Sequence, residues 1–191
     1  MKVGVLALQG AFKLHVQALE RLGVEAIEVR SLENFDASEA LIIPGGESTT
    51  MSFLLESSGI FDSLQERSTD GMPVLGTCAG MILLSSKITD GRNDQKPLKL
   101  IDIEVRRNGY GRQIDSFESD LFIEGFKSSF RGVFIRAPLV ENASEKVEVL
   151  AEVNGRPVMC RQDSVIVTSF HPELADDDRI HAEFLEMVSN S

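Results

Sequence analysis

Cys78 sits between two glycines in Gly76-Thr77-Cys78-Ala79-Gly80, where a short apolar run gives way to a second apolar stretch with helical character. The spacing is that of the G-x-S-x-G elbow, with sulfur replacing oxygen, which presents a nucleophile at a strand-to-helix turn. Glycines there tolerate a tight backbone and leave room for a substrate, while the helix that follows turns free amides and its positive dipole end toward the thiol. A thiolate so placed can attack an amide carbon and form a thioester, given a base to move protons and amides to hold the oxyanion. Ala79 supplies one such amide. Cys160, the second of two cysteines, has no comparable setting and reads as a small buried hydrophobe.

The base is expected at His171-Pro172-Glu173, directly after an apolar run. Proline restrains His171 toward extended backbone, so that residues 171 and 173 project to one side. Glu173 can then orient one ring nitrogen while the other faces Cys78 as general base and later general acid. A third segment, Pro44-Gly45-Gly46-Glu47-Ser48-Thr49-Thr50, follows another apolar run, and Gly46 is the candidate second oxyanion donor. It is no phosphate loop, because neither G-x-x-x-x-G-K-[ST] nor G-x-G-x-x-G occurs. Taken singly, these residues have plainer readings: a buried thiol, a satisfied histidine at a strand end, a solvated loop carboxylate, a helix-entry turn.

The elements that must position them alternate. Val3 to Leu8 reads as a strand, Ala11 to Leu22 as a helix, and Glu25 to Val29 and Ala40 to Ile43 as strands. A helix through Leu55 is expected to be capped by Ser48, and Phe61 to Arg67 forms another before the strand Pro73 to Thr77. This alternation predicts a mostly parallel, doubly wound α/β sheet whose ligands gather beyond the carboxyl ends of its strands. The second half is β-rich, with runs at Leu100 to Val105, Val133 to Ile135, Val147 to Val153 and Val158 to Arg161. Asn154-Gly155 marks a hairpin turn, Val165 to Ser169 returns as a strand, and Arg179 to Val188 closes as an amphipathic helix.

With 191 residues and no linker, residues 1 to 191 are expected to form a single domain. A net charge of -11 argues against nucleic acid as a partner. The short apolar runs give no membrane span and no signal-peptide core, so a cytoplasmic protein is expected. Two cysteines are too few for a disulfide scaffold, and His15, His171 and His181 fall in unrelated segments without paired-ligand spacing, so no metal is expected.

Six blocks carry a resemblance: Leu8-Gln9-Gly10-Ala11, Pro44 to Thr50, Gly76 to Gly80, Gly111-Arg112-Gln113, Phe134-Ile135-Arg136-Ala137-Pro138 and Ser169-Phe170-His171-Pro172-Glu173-Leu174. In this order the chain resembles the class I glutamine amidotransferases, and among them the glutaminase subunits of pyridoxal 5′-phosphate synthases. The resemblance implies hydrolysis of L-glutamine to glutamate and ammonia, with ammonia passed to a barrel-shaped synthase subunit in a hetero-oligomer and with activity coupled to that partner. No cofactor is implied for the chain itself; pyridoxal phosphate is the partner's product. It further implies that Gly46, Glu47, Ser48, Arg107, Ile135 and Arg136 hold glutamine, whose carboxylate suits a cation and whose ammonium suits an anion. A subunit of this fold serving another synthase, and a non-catalytic regulatory subunit, are the alternatives.

Two positions depart from that family. Lys13-Leu14 precede His15 where an acidic residue is usual, and Arg106 stands where glutamate usually precedes Arg-Asn. The resemblance assigns both segments to the partner-facing or substrate-facing side, and His15 itself is open to an interface role or a place on a helix face.

Overall fold

The computed structural model describes residues 1–109 and 116–190, so Gly111-Arg112-Gln113 lies outside the described residues. The first half runs β1 (Lys2–Leu6), α1 (Phe12–Arg21), β2 (Glu25–Val29), α2 (Leu32–Asp36), β3 (Ala40–Ile43), α3 (Ser48–Ser57), α4 (Ile60–Thr69), β4 (Val74–Thr77) and α5 (Ala79–Leu84). The second half adds β5 (Ser85–Ile88), β6 (Ile101–Arg106), β7 (Ser116–Leu121), β8 (Phe130–Ile135), β9 (Leu139–Ala143), β10 (Glu148–Val153), β11 (Arg156–Gln162) and β12 (Val165–Thr168). A 3₁₀ turn, Pro172–Leu174, then leads to α6 (Arg179–Ser189).

Among the described residues the main sheet has seven strands in the order β10-β11-β12-β4-β3-β1-β2. The strands β2, β1, β3, β4 and β12 run parallel, while β11 and β10 continue the sheet antiparallel. The inner parallel strands are short, largely apolar runs because both of their faces are covered, whereas β2 at the sheet edge carries Glu25 and Glu28. Along β3, Leu41 and Ile43 join one core with Met51 and Leu55 of α3 and Leu64 of α4; Ala40 and Ile42 join the other with Leu19 of α1 and Phe184 of α6. On β12, Val165 and Val167 face the first core and Ile166 the second. This is the doubly wound α/β arrangement, and no helix among the described residues is long and apolar enough to cross a membrane.

The β-rich half adds a three-stranded sheet, β5-β6-β9, and a β7-β8 ribbon, again among the described residues. Asn154 and Gly155 join β10 to β11 with φ of 52° and 70°, the two positive angles that a type I′ hairpin turn requires. Several elements differ from expectation. The helix after Cys78 stops at Leu84 and the chain continues at once as β5, which the apolar composition of Met81–Leu84 conceals. Short α2 rests on a cap, Ser31 accepting from the Asn34 amide, and on one buried side chain, Phe35. Polar β7 carries too few apolar residues to announce itself, and in β9 Glu141-Asn142 interrupt the apolar run after Leu139-Val140.

The junction of β4 and α5 depends on close approach. A Cβ on Gly80 would lie 2.3 Å from the Ile43 carbonyl oxygen of β3, and one on Gly76 would lie 2.4 Å from Leu84 Cδ1 and 2.8 Å from the Gly80 carbonyl carbon. Alanine at position 80 would gain about 1 kcal/mol in helix propensity. Its methyl group would meet backbone, which cannot yield as a side chain does. We therefore expect Gly80→Ala to destabilise the fold by about 1–3 kcal/mol, read as a lower urea midpoint; an unchanged midpoint would contradict this packing.

Candidate active site

Three sequence-distant segments converge at the carboxyl ends of β3, β4 and β12. Cys78 follows β4 and adopts φ 50°, ψ −99°, a region that costs a non-glycine residue about 1–3 kcal/mol. Two bonds hold it there: its amide donates to the Thr168 carbonyl at 2.8 Å, and its own carbonyl accepts from the Ile82 amide at 3.3 Å. The thiol is 7% exposed and opens on a cleft of about 430 Å³. Its sulfur lies 3.8 Å from the Ile135 carbonyl oxygen.

His171 follows β12, fixed by its amide donating to the Val133 carbonyl at 2.8 Å. Its backbone is extended, at φ −104° and ψ 90°, but Pro172–Leu174 then form a 3₁₀ turn rather than continuing the strand. The turn still returns Glu173 to the histidine: Nδ1 and Oε1 are 2.7 Å apart. Both side chains are buried, so the solvated reading of Glu173 is set aside. Cys78 and His171 line the same cleft, and with Nδ1 taken by the carboxylate, Nε2 is the nitrogen left for sulfur. Burial disfavours the charged ring, yet the neighbouring Cys78 and Glu173 outweigh it and push His171 up to about 10. Burial likewise opposes the Glu173 charge, but the neighbouring His15 and the bond from His171 hold its carboxyl below the usual range.

The glycine loop closes a second wall. Gly45 packs so tightly that a Cβ there would lie 2.4 Å from His171 Cε1 and 3.5 Å from Cys78 Cβ. Gln9 braces this loop, its Oε1 accepting from the Glu47 amide at 2.9 Å. The cap of α3 is Glu47 and not Ser48: its carboxylate accepts from the amides of Thr49 at 3.1 Å and Thr50 at 2.7 Å, and from Thr50 Oγ1 at 2.7 Å. A side chain one methylene longer than aspartate reaches back over the first turn, leaving Ser48 as its first residue. Although burial works against the charge, these bonds lower Glu47 to about 2.

Gly46, Glu47, Ser48, Arg107, Ile135 and Arg136 all line the cleft with Cys78 and His171. Ala79 is buried at the head of α5 and can contribute only its amide. Arg107 and Glu47 pair across the wall at 3.2 Å. Buried Gln95, which no sequence pattern singles out, ties the wall together: its Nε2 donates to Ser48 Oγ at 3.0 Å, and its Oε1 accepts from Thr49 Oγ1 at 3.3 Å and Arg107 at 3.5 Å. Arg136 stands at φ 46° after β8 with an exposed side chain. Of the two departures, Arg106 forms an ion pair with Glu141 of β9, and Lys13 is exposed on α1. Cys160 is fully buried on β11, where burial first, and Glu152 second, push its thiol up to about 12.

A family model for the SNO glutamine amidotransferase family matches residues 5–190. The chain belongs to the SNO glutamine amidotransferase family. A pyridoxal 5′-phosphate synthase subunit PdxT from Mycobacteroides abscessus is 53% identical over 97% of this chain and 96% of the relative. One of the same description from Thermosipho africanus is 49% identical over 98% and 99%. Among solved structures, one described as a glutamine amidotransferase superposes with a TM-score of 0.94 at 49% identity, covering 98% of each chain. In this SNO amidotransferase His15, left open between an interface and a helix face, is wholly buried beside Glu173.

Proposed function

We propose that residues 1–191 act as one glutaminase domain that hydrolyses L-glutamine through Cys78, His171 and Glu173. The observation that carries this reading is His171, held by Glu173 at 2.7 Å, lining one cleft together with Cys78. Cys78 thiolate attacks the side-chain amide carbon of glutamine, and the carbonyl electrons move to oxygen, where the amides of Gly46 and Ala79 donate to the oxyanion. One such donor typically contributes ~2.7–4 kcal/mol. As the oxyanion collapses the C–N bond breaks, and His171 gives its proton to the departing nitrogen, releasing ammonia and leaving a thioester. Water then loses a proton to His171 and attacks the same carbon; the C–S bond breaks, glutamate leaves and the thiolate is restored.

Glutamine arrives as a zwitterion, and the Arg107 and Glu47 pair offers both signs of charge on one wall. Arg107 and Arg136 suit the carboxylate and Glu47 the ammonium, with Gly46, Ser48 and the Ile135 carbonyl completing the fit. Because Glu47 already accepts from Thr49, Thr50 and Arg107, it meets the ammonium as a fixed charge needing no rearrangement.

Relatives described as pyridoxal 5′-phosphate synthase subunits support a synthase partner, in a cytoplasmic hetero-oligomer, as the recipient of the ammonia. A rate of ammonia release from glutamine that rises when a barrel-type synthase is added is the expected result. Coupled glutamate dehydrogenase assays measure it; equal rates with and without synthase would reject the coupling, and no release in either would reject the glutaminase reading.

A further inference from the structure

All three histidines of the chain meet behind the triad, although their sequence positions share no motif. His15 projects from α1 and His181 from α6, and both are wholly buried. His15 Nδ1 is 2.9 Å from His181 Nε2, with the ring centroids 5.2 Å apart. His15 Nε2 in turn lies 3.3 Å from Glu173 Oε2 and 3.3 Å from Thr77 Oγ1. Glu173 Oε1 holds His171, while Oε2 is buried with no hydrogen-bond partner and faces His15 Nε2 at 3.3 Å, a contact short of a formed hydrogen bond.

A carboxylate oxygen faces an N–H and not a lone pair, because a lone pair there would be repelled in a medium that screens little. This places the His15 proton on Nε2 and leaves Nδ1 an acceptor. The 2.9 Å contact must then be supplied by N–H on His181 Nε2, which leaves His181 Nδ1 as the end of the chain, and that atom has no hydrogen-bond partner. Burial drives both rings toward neutrality, His181 down to about 3, with Glu173 and Asp178 opposing and Arg21 assisting at a distance. Neutral rings orient the carboxylate without cancelling the charge that His171 needs. The two helices are latched beside them by Arg21 and Asp178, which pair at 2.6 and 2.7 Å.

We propose that His15 and His181 are positioning residues for the glutaminase reaction: His181 fixes the tautomer of His15, and His15 fixes the carboxylate plane through which Glu173 steers His171. The proposal rests on the triad reading above. A donor lost behind an orienting carboxylate lets it rotate, and displacement of the base reduces turnover without changing the groups that hold glutamine.

The test compares His15→Leu, His15→Gln, His181→Leu and Cys78→Ala, assayed with the synthase present and with thermal melting followed by circular dichroism. His15→Leu should lower kcat about 10- to 100-fold with KM within about twofold. His15→Gln, whose amide can donate where Nε2–H does, should recover kcat to within about threefold of wild type. A folded His15→Leu with wild-type kcat, or a loss that glutamine does not restore in a folded protein, would overturn the proposal. Should His15→Leu fail to fold, His181→Leu decides: kcat reduced several-fold at constant KM supports the brace, and unchanged kcat overturns it. Wild-type turnover by Cys78→Ala would instead sink the triad reading itself.

Discussion

Cys78→Ala is expected to release no ammonia from glutamine above background, a fall in kcat of about 10⁴-fold or more, while the protein melts within a few degrees of wild type. The asymmetry follows from where the sulfur sits. Alanine keeps the Cβ, the backbone angles and both elbow bonds to Thr168 and Ile82, so the local strain is the same in both proteins. What disappears is the atom that forms the thioester. His171, Glu173 and the oxyanion amides would still surround the substrate carbon, but water would have to attack unassisted by a covalent step. Turnover within tenfold of wild type would mean that some other group opens the amide.

The second large effect is expected at a residue without a side chain. Gly45→Ala would place a methyl carbon 2.4 Å from His171 Cε1 and 3.0 Å from its Nδ1, where ordinary contact needs about an ångström more. The ring has little freedom to yield, since its own amide is bonded to Val133 and its Nδ1 to Glu173. A shift of that size between base and nucleophile costs about 100-fold in rate, and we expect kcat for ammonia release to fall by that factor. Gly46→Ala offers the contrast: its methyl would meet Gln9 Oε1 at 2.4 Å, the end of a side chain that can swing aside. A Gly45→Ala protein with kcat within twofold of wild type would show that the loop moves freely and does not press the ring against its partners.

The parallel sheet was legible because its strands are short, apolar and separated by helical spacing, and the elbow because glycines flank a cysteine at a strand end. Cys78 and His171 could be named from type and context, whereas Glu47 and Arg107 came only through the family resemblance. Other parts carried no local signal. Ser48 looked like the cap because serine is a frequent one, but Glu47 reaches its own helix amides and takes the place. Polar β7, and β9 with its Glu141-Asn142 interruption, are held by pairing with β8 and β6, a tertiary cause invisible in a window of sequence. His15 and His181 lie on amphipathic helices where burial can be inferred, but nothing in spacing says that two helices far apart in the chain bring their histidines together behind one carboxylate. Gln95 was hidden for the same reason, in a stretch without regular structure.

The silence of Cys160 has a chemical corollary. With that sulfhydryl sealed in the core, a thiol-directed electrophile or oxidant meeting the folded chain finds one thiol open to a cleft, and it is the one proposed to make the thioester. Inactivation is then a stoichiometric titration, one equivalent per chain. So long as oxidation has reached only the sulfenic stage, a reductant returns the enzyme whole.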